Sequence, residues 1–435
     1  MLDLTESYRA HIATLVDAYR RILAEHQLDA VVVTSGQAAL RSRFDDQAWP
    51  LAITPTFAHW LPLPEADAVL VIDGDARPRL IRVDPGDYWE STPQAERDDF
   101  LAAFAVTTVG NVDAVAPLVP RGRIAVIGER VRGLDDAAHD PPALVAAVEA
   151  VRTRKTAYEL ACLAEASARA VRGHRHAAQR FIEHDDGELA LHLGFLGAVG
   201  QADHDAPYQG IVARGPHAAV LHHTQYDRAA PTRAADSLLL DAGARYLGYN
   251  ADITRTWVRG TTADAARFGE LIAAVDGAQQ QICREVRAGD AYEALHDRAH
   301  VLLAEALIAI GLGRGSAQAL VERGVTRALF PHGLGHSLGI QVHDVGMKLR
   351  APRPDNRFLR NTSTIEVGQV FTIEPGCYVI DALVQPLARD DRRELLDWRA
   401  VDALRGFGGV RIEDNVVVTA DGHRNLTRDA WAVAS

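Results

Sequence analysis

The sequence has little lysine, cysteine and methionine, and it has no long apolar run. Of its 435 residues, 46 are lysine or arginine, yet the only lysines are Lys155 and Lys348. The three cysteines, Cys162, Cys283 and Cys377, are widely spaced and form no CxxC pair. They therefore predict a reduced compartment and no structural zinc.

The absence of apolar runs and of a signal sequence predicts a cytoplasmic protein without a membrane partner. No segment approaches the roughly 18 apolar residues that cross a bilayer. The N-terminal segment is charged throughout and lacks the apolar region of a signal peptide. The net charge of −12 disfavours nucleic acid as a partner. Hydrophobic residues at 48% exclude a mostly disordered chain.

The periodicity changes near residue 150, where we place a domain boundary. In 1–150, a helix over 5–27 is followed by short apolar strands, at Ala30–Thr34, Ala68–Ile72, Leu80–Val83 and Ile124–Ile127. This alternation predicts an α/β domain. In 151–435, helices are predicted at 157–181, 186–200, 263–287 and 290–312, and strands at 237–241, 249–257, 370–380 and 410–419. The polar segments 350–363 and 383–406 predict loops.

Four acidic residues lie within predicted strands that should otherwise be buried. They are Asp241, Asp252, Glu374 and Glu413. Burying an unpaired carboxylate costs several kcal/mol. Pairing with arginine explains any one of them about as well as a functional site does, but these strands hold too few basic residues to pair all four. Divalent cations would offset the cost for the whole set.

Three histidines occur within twelve positions of the glycine-rich segment FPHGLGHSLGIQVHDVG. They are His332, His336 and His343. The glycines make the segment irregular, so it is not the helical HExxH motif of a zinc protease. A single histidine here would more often be a packed or surface residue, whereas three favour a site.

Four carboxylates and an imidazole exceed the three protein ligands of a typical catalytic zinc ion. They suit two hard or borderline divalent ions, such as manganese, that share one water. Such a pair activates the water and polarises a carbonyl, which is hydrolytic chemistry. A second patch, PYQGIVARGPHAAVLHH, supplies Tyr208, His217, His222 and His223; composition alone explains these histidines equally well as surface residues.

These motifs resemble those of the pita-bread metallopeptidases, which include prolidase, aminopeptidase P and methionine aminopeptidase. The likeness is carried by DAGARYLGYNADITRTW, FPHGLGHSLGIQVHDVG, FTIEPGCYVI and GGVRIEDNVVV. The N-terminal SGQAALRSRFDDQAWP and TFAHWLPL are similar to the bacterial Xaa-Pro dipeptidase (prolidase) branch. The resemblance implies a creatinase-like α/β N-terminal domain and an α+β pita-bread catalytic domain.

The resemblance also implies a role for individual residues. The implied metal ligands are Asp241, Asp252, His336, Glu374 and Glu413, with Asp252 and Glu413 bridging two ions, most simply Mn(II). Glu374 would also be the general base for a bridging water, His343 would stabilise the oxyanion-like intermediate and His332 would contact the substrate. The implied substrate-binding residues are His222, Arg411, Tyr208, Val342, Tyr292, Leu359 and Asp45.

The implied substrate is a dipeptide with proline second. Arg411 and His222 would hold the free carboxylate of proline, since a guanidinium can bind a carboxylate through two hydrogen bonds. Asp45 would reach the pocket of a partner subunit and meet the amino group of the substrate, so a homodimer is expected. Together these groups would exclude longer peptides.

Rival interpretations stay open from the sequence. An aminopeptidase P-like enzyme would act on longer peptides. Methionine aminopeptidase leaves about 150 N-terminal residues unexplained, and a creatinase-like hydrolase or a binding-only pseudo-peptidase should lack ligands. The segment between His343 and Glu374 is shorter than in the relatives, and Ser363 replaces an arginine. Substrate preference and the side activity of prolidases on organophosphorus triesters depend on this segment.

Overall fold

A computed structural model describes residues 3–86 and 98–433. The chain divides into two compact units, one of Met1–Cys162 with Leu247–Tyr249 and one of Leu163–Tyr246 with Asn250–Ser435. The domain boundary near residue 150 stays a prediction, because compact units need not end where a domain ends. Among the helices in the described ranges, none has the length and apolar character needed to span a membrane.

The first unit is built on one six-stranded sheet. Its helices are α1 (Leu4–His26), α2 (Pro55–Trp60) and α3 (Pro142–Val151). Its strands are β1 (Ala30–Thr34), β2 (Val69–Ile72), β3 (Arg79–Val83), β4 (Ala105–Val109), β5 (Ile124–Ile127) and β6 (Ala138–His139). The strand order is β4-β3-β2-β1-β5-β6. The central β1 is buried along its whole length, as its unbroken apolar run predicts.

The remaining helices are α4 (Ala157–Glu183), α5 (Glu188–Val199), α6 (Ala263–Glu285), α7 (Tyr292–Ala309), α8 (Ala317–Glu322), α9 (Val325–Leu329), α10 (Asp381–Ala388), α11 (Trp398–Leu404) and α12 (Leu426–Val433). The remaining strands are β7 (Ile211–Arg214), β8 (Asp236–Asp241), β9 (Arg245–Tyr246), β10 (Tyr249–Asn250), β11 (Thr254–Arg259), β12 (Val370–Ile373), β13 (Gly376–Tyr378), β14 (Gly409–Arg411), β15 (Asp414–Thr419) and β16 (Gly422–Asn425).

In the described ranges, three small antiparallel sheets lie wholly within the second unit. Their strand orders are β11-β8-β7, β12-β15-β16 and β13-β14. Its largest core joins the inner faces of α6 and α7 to β12 and β15, through side chains such as Leu271, Leu303, Phe371 and Val416. This core therefore packs against β12 and β15, the strands next to which Glu374 and Glu413 lie.

Two sequence predictions about secondary structure are wrong. The segment 383–406 is not a loop, since it contains most of α10 and all of α11. The charged residues and Pro386 of this segment favoured a loop in the sequence, although one face of α10 is buried through Val384 and Leu387. The three long strands predicted around Asp252, Glu374 and Glu413 are each interrupted rather than continuous.

Candidate active site

Three of the four strand-borne acids lie where a strand is interrupted. Asp252 falls between β10 and β11, Glu374 between β12 and β13, and Glu413 between β14 and β15. Pro375, which follows Glu374, has no N–H group to continue a ladder. Asp241 differs, because it ends β8 in regular pairing with β11. The interruptions release these side chains from strict alternation between the faces of a sheet.

The glycine-rich histidine segment runs alongside β12. The Thr372 N–H donates to the carbonyl of His336 at 2.9 Å, and the Glu374 N–H donates to the carbonyl of Leu334 at 2.8 Å. A Cβ atom on Gly335 would lie 2.1 Å from the Thr372 carbonyl oxygen and 2.5 Å from the Tyr292 hydroxyl. Glycine is therefore required there, because a side chain would push His336 away from the strand.

Nine of the predicted site residues meet in one cavity of about 480 Å³. All five predicted metal ligands line it, together with four further predicted residues, His222, His332, His343 and Arg411. The cavity also includes Arg357, Phe358 and Arg360 from the segment between His343 and Glu374. The fold thus brings nine of the predicted residues to one cavity, and their roles stay predictions.

His336 is the centre of the acidic cluster. Its Nε2 atom lies 3.3 Å from Asp252 Oδ2, 3.8 Å from Glu374 Oε1 and 4.0 Å from Glu413 Oε1. Its Nδ1 atom is 3.0 Å from the carbonyl of Ser337. A donor bond from Nδ1 to that carbonyl leaves the Nε2 lone pair facing the carboxylates, as in histidine ligands of metal ions.

Burial and mutual repulsion oppose ionisation of these carboxyl groups. Burial raises the pKa of Glu374 to about 7, with Asp252 adding to the effect against the opposing charges of His336 and Arg411. Burial, followed by Asp252 and Glu374, raises the pKa of Glu413 well above its usual value. The four carboxyl groups therefore outnumber the cationic groups His336 and Arg411 beside them, and this oxygen-rich donor set with one imidazole fits two hard or borderline divalent ions.

A hydrogen-bonded chain connects Asp241 to His332. Arg411 donates from Nη2 to Asp241 Oδ2 at 2.7 Å and from Nη1 to the Tyr378 hydroxyl at 2.9 Å. The Tyr378 hydroxyl lies 2.8 Å from His332 Nε2, and Arg411 Nε donates to Thr254 Oγ1 at 3.2 Å. Burial and the neighbouring Arg411 lower the pKa of His332 to about 3, so this imidazole is neutral at pH 7.

Sequence reasoning missed Tyr378 and Thr254. Thr254 donates to Glu413 Oε2 at 2.7 Å, and Tyr378 is fully buried between Arg411 and His332. A signal was present for both. Thr254 follows Asp252 by two positions and Tyr378 lies in the same segment as Glu374, so each shared a motif with a predicted ligand.

Tyr208, Val342, Tyr292 and Leu359, whose implied role in substrate binding is that of pocket walls, do not line the cavity. Tyr292 is fully buried, and its hydroxyl donates to the Thr372 carbonyl at 3.0 Å. Leu359 is also buried, and Val342 is half-buried. We correct Tyr292 and Leu359 from walls to supports, because both belong to the core that includes Phe371 and Ile373 of β12.

Tyr208 contacts the acids themselves. Its hydroxyl lies 2.7 Å from Asp241 Oδ1 and 2.5 Å from Asp252 Oδ1. It thus orients two predicted ligands instead of forming an apolar wall. His343 packs edge-on against His336 with ring centroids 4.4 Å apart. Desolvation, then His336 and Arg360, lowers the pKa of His343 to about 3, so it is a neutral hydrogen-bonding group.

Asp45 lies in an exposed segment of the first unit, where its Oδ1 accepts a hydrogen bond from the Gln47 N–H at 2.9 Å. Its expected role involves a second subunit and stays a prediction. Ser363, which the resemblance implies stands in place of an arginine, is buried and bonded to Asn361, and it does not line the cavity.

The chain matches known proteins over nearly its whole length. Residues 143–420 match the model of metallopeptidase family M24, and residues 6–149 match that of the N-terminal domain of Xaa-Pro dipeptidase. The Xaa-Pro dipeptidase of Marinobacter nauticus is 42% identical over 432 residues, which are 98% of this chain and 99% of that protein. The Xaa-Pro dipeptidase of Shewanella putrefaciens is 39% identical, with 99% of each covered.

Solved structures share the architecture. Aminopeptidase PepP of Pseudomonas aeruginosa superposes with a TM-score of 0.73 at 22% identity, covering 98% of this chain and 95% of that one. Aminopeptidase P of Escherichia coli with the inhibitor Pro-Leu gives a TM-score of 0.71 at 21% identity, with the same coverage. The predicted α/β N-terminal domain and α+β pita-bread domain are thus confirmed, and the chain belongs to metallopeptidase family M24.

Proposed function

We propose that this chain is an Xaa-Pro dipeptidase that uses two divalent ions, most simply Mn(II). The observation that carries the proposal is a buried guanidinium beside the acidic cluster. Arg411 lines the cavity, and three of the five guanidinium N–H donors have partners in Asp241, Tyr378 and Thr254. Among the described residues, nothing accepts the second N–H of either Nη atom, which leaves one donor on each for a substrate carboxylate.

The metal site would use the five residues of the acidic cluster. Asp241, Asp252, His336, Glu374 and Glu413 would hold the two ions. When bound, such ions lower the pKa of a water and polarise the scissile carbonyl. Their positive charge would also remove the repulsion that raises the pKa values of the buried carboxyl groups.

The side chains would divide the remaining work. Glu374 would accept a proton from the attacking water and return it to the proline nitrogen as the amide bond breaks. The neutral His343 would donate a hydrogen bond to the carbonyl oxygen as negative charge develops there. His332, held by Tyr378 and by the carbonyl of Gly333 at 2.9 Å, would contact the substrate beside Glu374.

Substrate length would be set at both ends of the cavity. Arg411 with His222 would bind the carboxylate of a C-terminal proline, and a longer peptide presents no carboxylate at that position. Asp45 from a second subunit would meet the amino group, which requires a homodimer. The named relatives at 38–42% identity favour this assignment. Aminopeptidase P activity is not better supported, because proteins of that name match here at only 20–22% identity.

The decisive experiment compares proline-containing peptides of two lengths. We expect Mn(II)-dependent release of proline from an Xaa-Pro dipeptide, no cleavage of the matching Xaa-Pro-Xaa tripeptide, and loss of activity after chelation. Cleavage of the tripeptide at a similar rate would contradict the dipeptidase assignment. Gel filtration at assay concentration tests the homodimer, and cell fractionation tests the cytoplasmic location.

Any side activity toward organophosphorus triesters would depend on the segment between His343 and Glu374. Arg357, Phe358 and Arg360 line the cavity, so they border any bound triester. Hydrolysis of a fluorophosphate triester, followed by fluoride release, tests this activity. An enzyme that cleaves the dipeptide but releases no fluoride would show that the segment excludes the triester.

A further inference from the structure

Two histidines of the second sequence patch have no place in the proposed chemistry. His217 and His223 flank His222, and neither lines the cavity. Both instead reach one buried carboxylate, that of Glu188 at the start of α5. His217 Nδ1 lies 2.7 Å from Glu188 Oε1, and His223 Nε2 lies 2.9 Å from Oε2.

The same carboxylate also binds two backbone groups. The Arg214 N–H donates to Oε1 at 2.8 Å, and the Asp227 N–H donates to Oε2 at 2.8 Å. Each oxygen of Glu188 therefore has two donors, which uses all of its roughly four lone-pair sites. Although burial opposes ionisation, these four donors lower the pKa of Glu188. The group is thus a saturated carboxylate and leaves no lone pair for a metal ion.

These four bonds enclose the segment that carries His222. Arg214 ends β7 and Asp227 lies thirteen positions further on, so Glu188 fixes both ends of 215–226 and two points within it. Leu221 and His222 are the residues of this segment that line the cavity. The backbone approach is close, since a Cβ atom on Gly187 would lie 2.3 Å from the Arg228 carbonyl oxygen.

The rest of the segment has little regular secondary structure, and its other contacts include a bond from Gln209 to the Thr224 carbonyl at 3.1 Å and the packing of Ala218 in a small core. The segment contains a short 3-10 helix, Gly215–Ala219, and a turn in which the His223 N–H donates to the Val220 carbonyl at 3.1 Å. The rings of His217 and His223 stack on each other with centroids 4.2 Å apart. We propose that Glu188 is a positioning residue for substrate binding, which holds segment 215–226 so that His222 faces the carboxylate of the substrate. This inference rests on the proposed function.

The first test measures the segment without any substrate. Glu188→Gln replaces one carboxylate oxygen by an NH2 group, so the backbone N–H bond to that oxygen must be lost, whereas the histidine beside it can accept in its other tautomer. We expect amide hydrogen exchange within 215–226 to accelerate about tenfold or more. Glu65→Gln is the matched control, because Glu65 is also buried but pairs with Arg82 in the first unit. Unchanged exchange in Glu188→Gln, or equal acceleration in the control, would overturn the proposal.

The second test asks whether Glu188 acts through His222. Glu188→Gln should raise KM for an Xaa-Pro dipeptide about tenfold and change kcat less than about threefold. In a His222→Ala background the same substitution should change KM less than about twofold, because coupled residues are not additive. A full effect in that background would refute the role.

Conservative variants separate the hydrogen bonds from general packing. His217→Asn and His223→Gln keep an amide N–H near the positions of Nδ1 and Nε2. We expect both to keep KM within about threefold of the wild type. His217→Ala and His223→Ala should instead raise KM about as much as Glu188→Gln does. Failure of the wild-type chain to cleave any dipeptide would refute the proposed function, while hydrogen exchange would still decide the role of Glu188.

Discussion

Replacement of Arg411 tests the carboxylate-binding role most directly. Its guanidinium is buried, with 4% of the residue exposed, and two of its N–H donors are free to meet a substrate carboxylate. A hydrogen bond to a charged partner contributes about 1.5–3 kcal/mol. Arg411→Ala should therefore lower kcat/KM for an Xaa-Pro dipeptide by about 10- to 150-fold.

The assay uses two substrates that differ only in this carboxylate. For the dipeptide, the ratio of wild-type to variant kcat/KM should be about 10 to 150, whereas for the matching Xaa-prolinamide it should approach about one. Wild type and variant would then cleave the amide with similarly low kcat/KM. The same loss on both substrates would refute the argument, because the effect could not come from the carboxylate.

The bond to Asp241 requires a separate control. Arg411 donates to Asp241 Oδ2 at 2.7 Å, so its removal also leaves a predicted metal ligand without its cation. Breaking a buried ion pair costs about 3–5 kcal/mol, and the metal-free variant should lose stability of that order. Saturating metal should restore the stability of the variant. Before rates are compared, the metal content of the variant, measured by mass spectrometry, must equal that of the wild type. Arg411→Lys, which keeps the charge without the planar fork, should retain metal but not dipeptide turnover.

Three further predictions concern the acidic cluster. Glu374→Gln should lower kcat about 10²- to 10⁴-fold, since a general base is lost, and circular dichroism should show an unchanged fold; a smaller loss at equal metal content would contradict the role. Gly335→Ala should weaken metal binding about tenfold or more, because its Cβ would meet the Thr372 carbonyl oxygen at 2.1 Å and displace His336. Calorimetric titration with Mn(II) measures the affinity, and an unchanged affinity would contradict the packing argument. Metal-free wild type should gain stability relative to metal-free Glu374→Gln as the pH falls from about 7.5 to 6, because the Glu374 pKa of about 7 lies above its unfolded value and the folded chain binds the extra proton. Buried neutral histidines such as His332 and His343 oppose this gain in both proteins, since their unfolded forms bind protons over the same range. Thermal melting measures the difference between the two proteins, which should vanish when metal is bound; no gain of the wild type over the variant in this window would count against repulsion in the cluster.

The sequence alone determined the composition of the site. Carboxylates inside apolar strands are costly to bury unless they share a function, so Asp241, Asp252, Glu374 and Glu413 could be grouped with one of three histidines in a glycine-rich segment, and the family resemblance singled out His336. Local patterns also determined α1 and β1, whose periods are unambiguous over their lengths. Residue type and spacing are sufficient for such features because the physical cause is local.

Tertiary structure decided which partner each group meets. The pairing of Arg411 with Asp241 and Tyr378, and of Glu188 with both ends of segment 215–226, joins residues 26 to 170 positions apart. No local pattern encodes such pairs, because several arginines and histidines could satisfy one buried carboxylate. The interruptions of the strands at the acids, and the burial of Tyr292 behind Gly335, likewise follow from packing between distant segments. Sequence thus specified the chemistry of the site, and the fold assigned each group its partner, its charge state and its orientation.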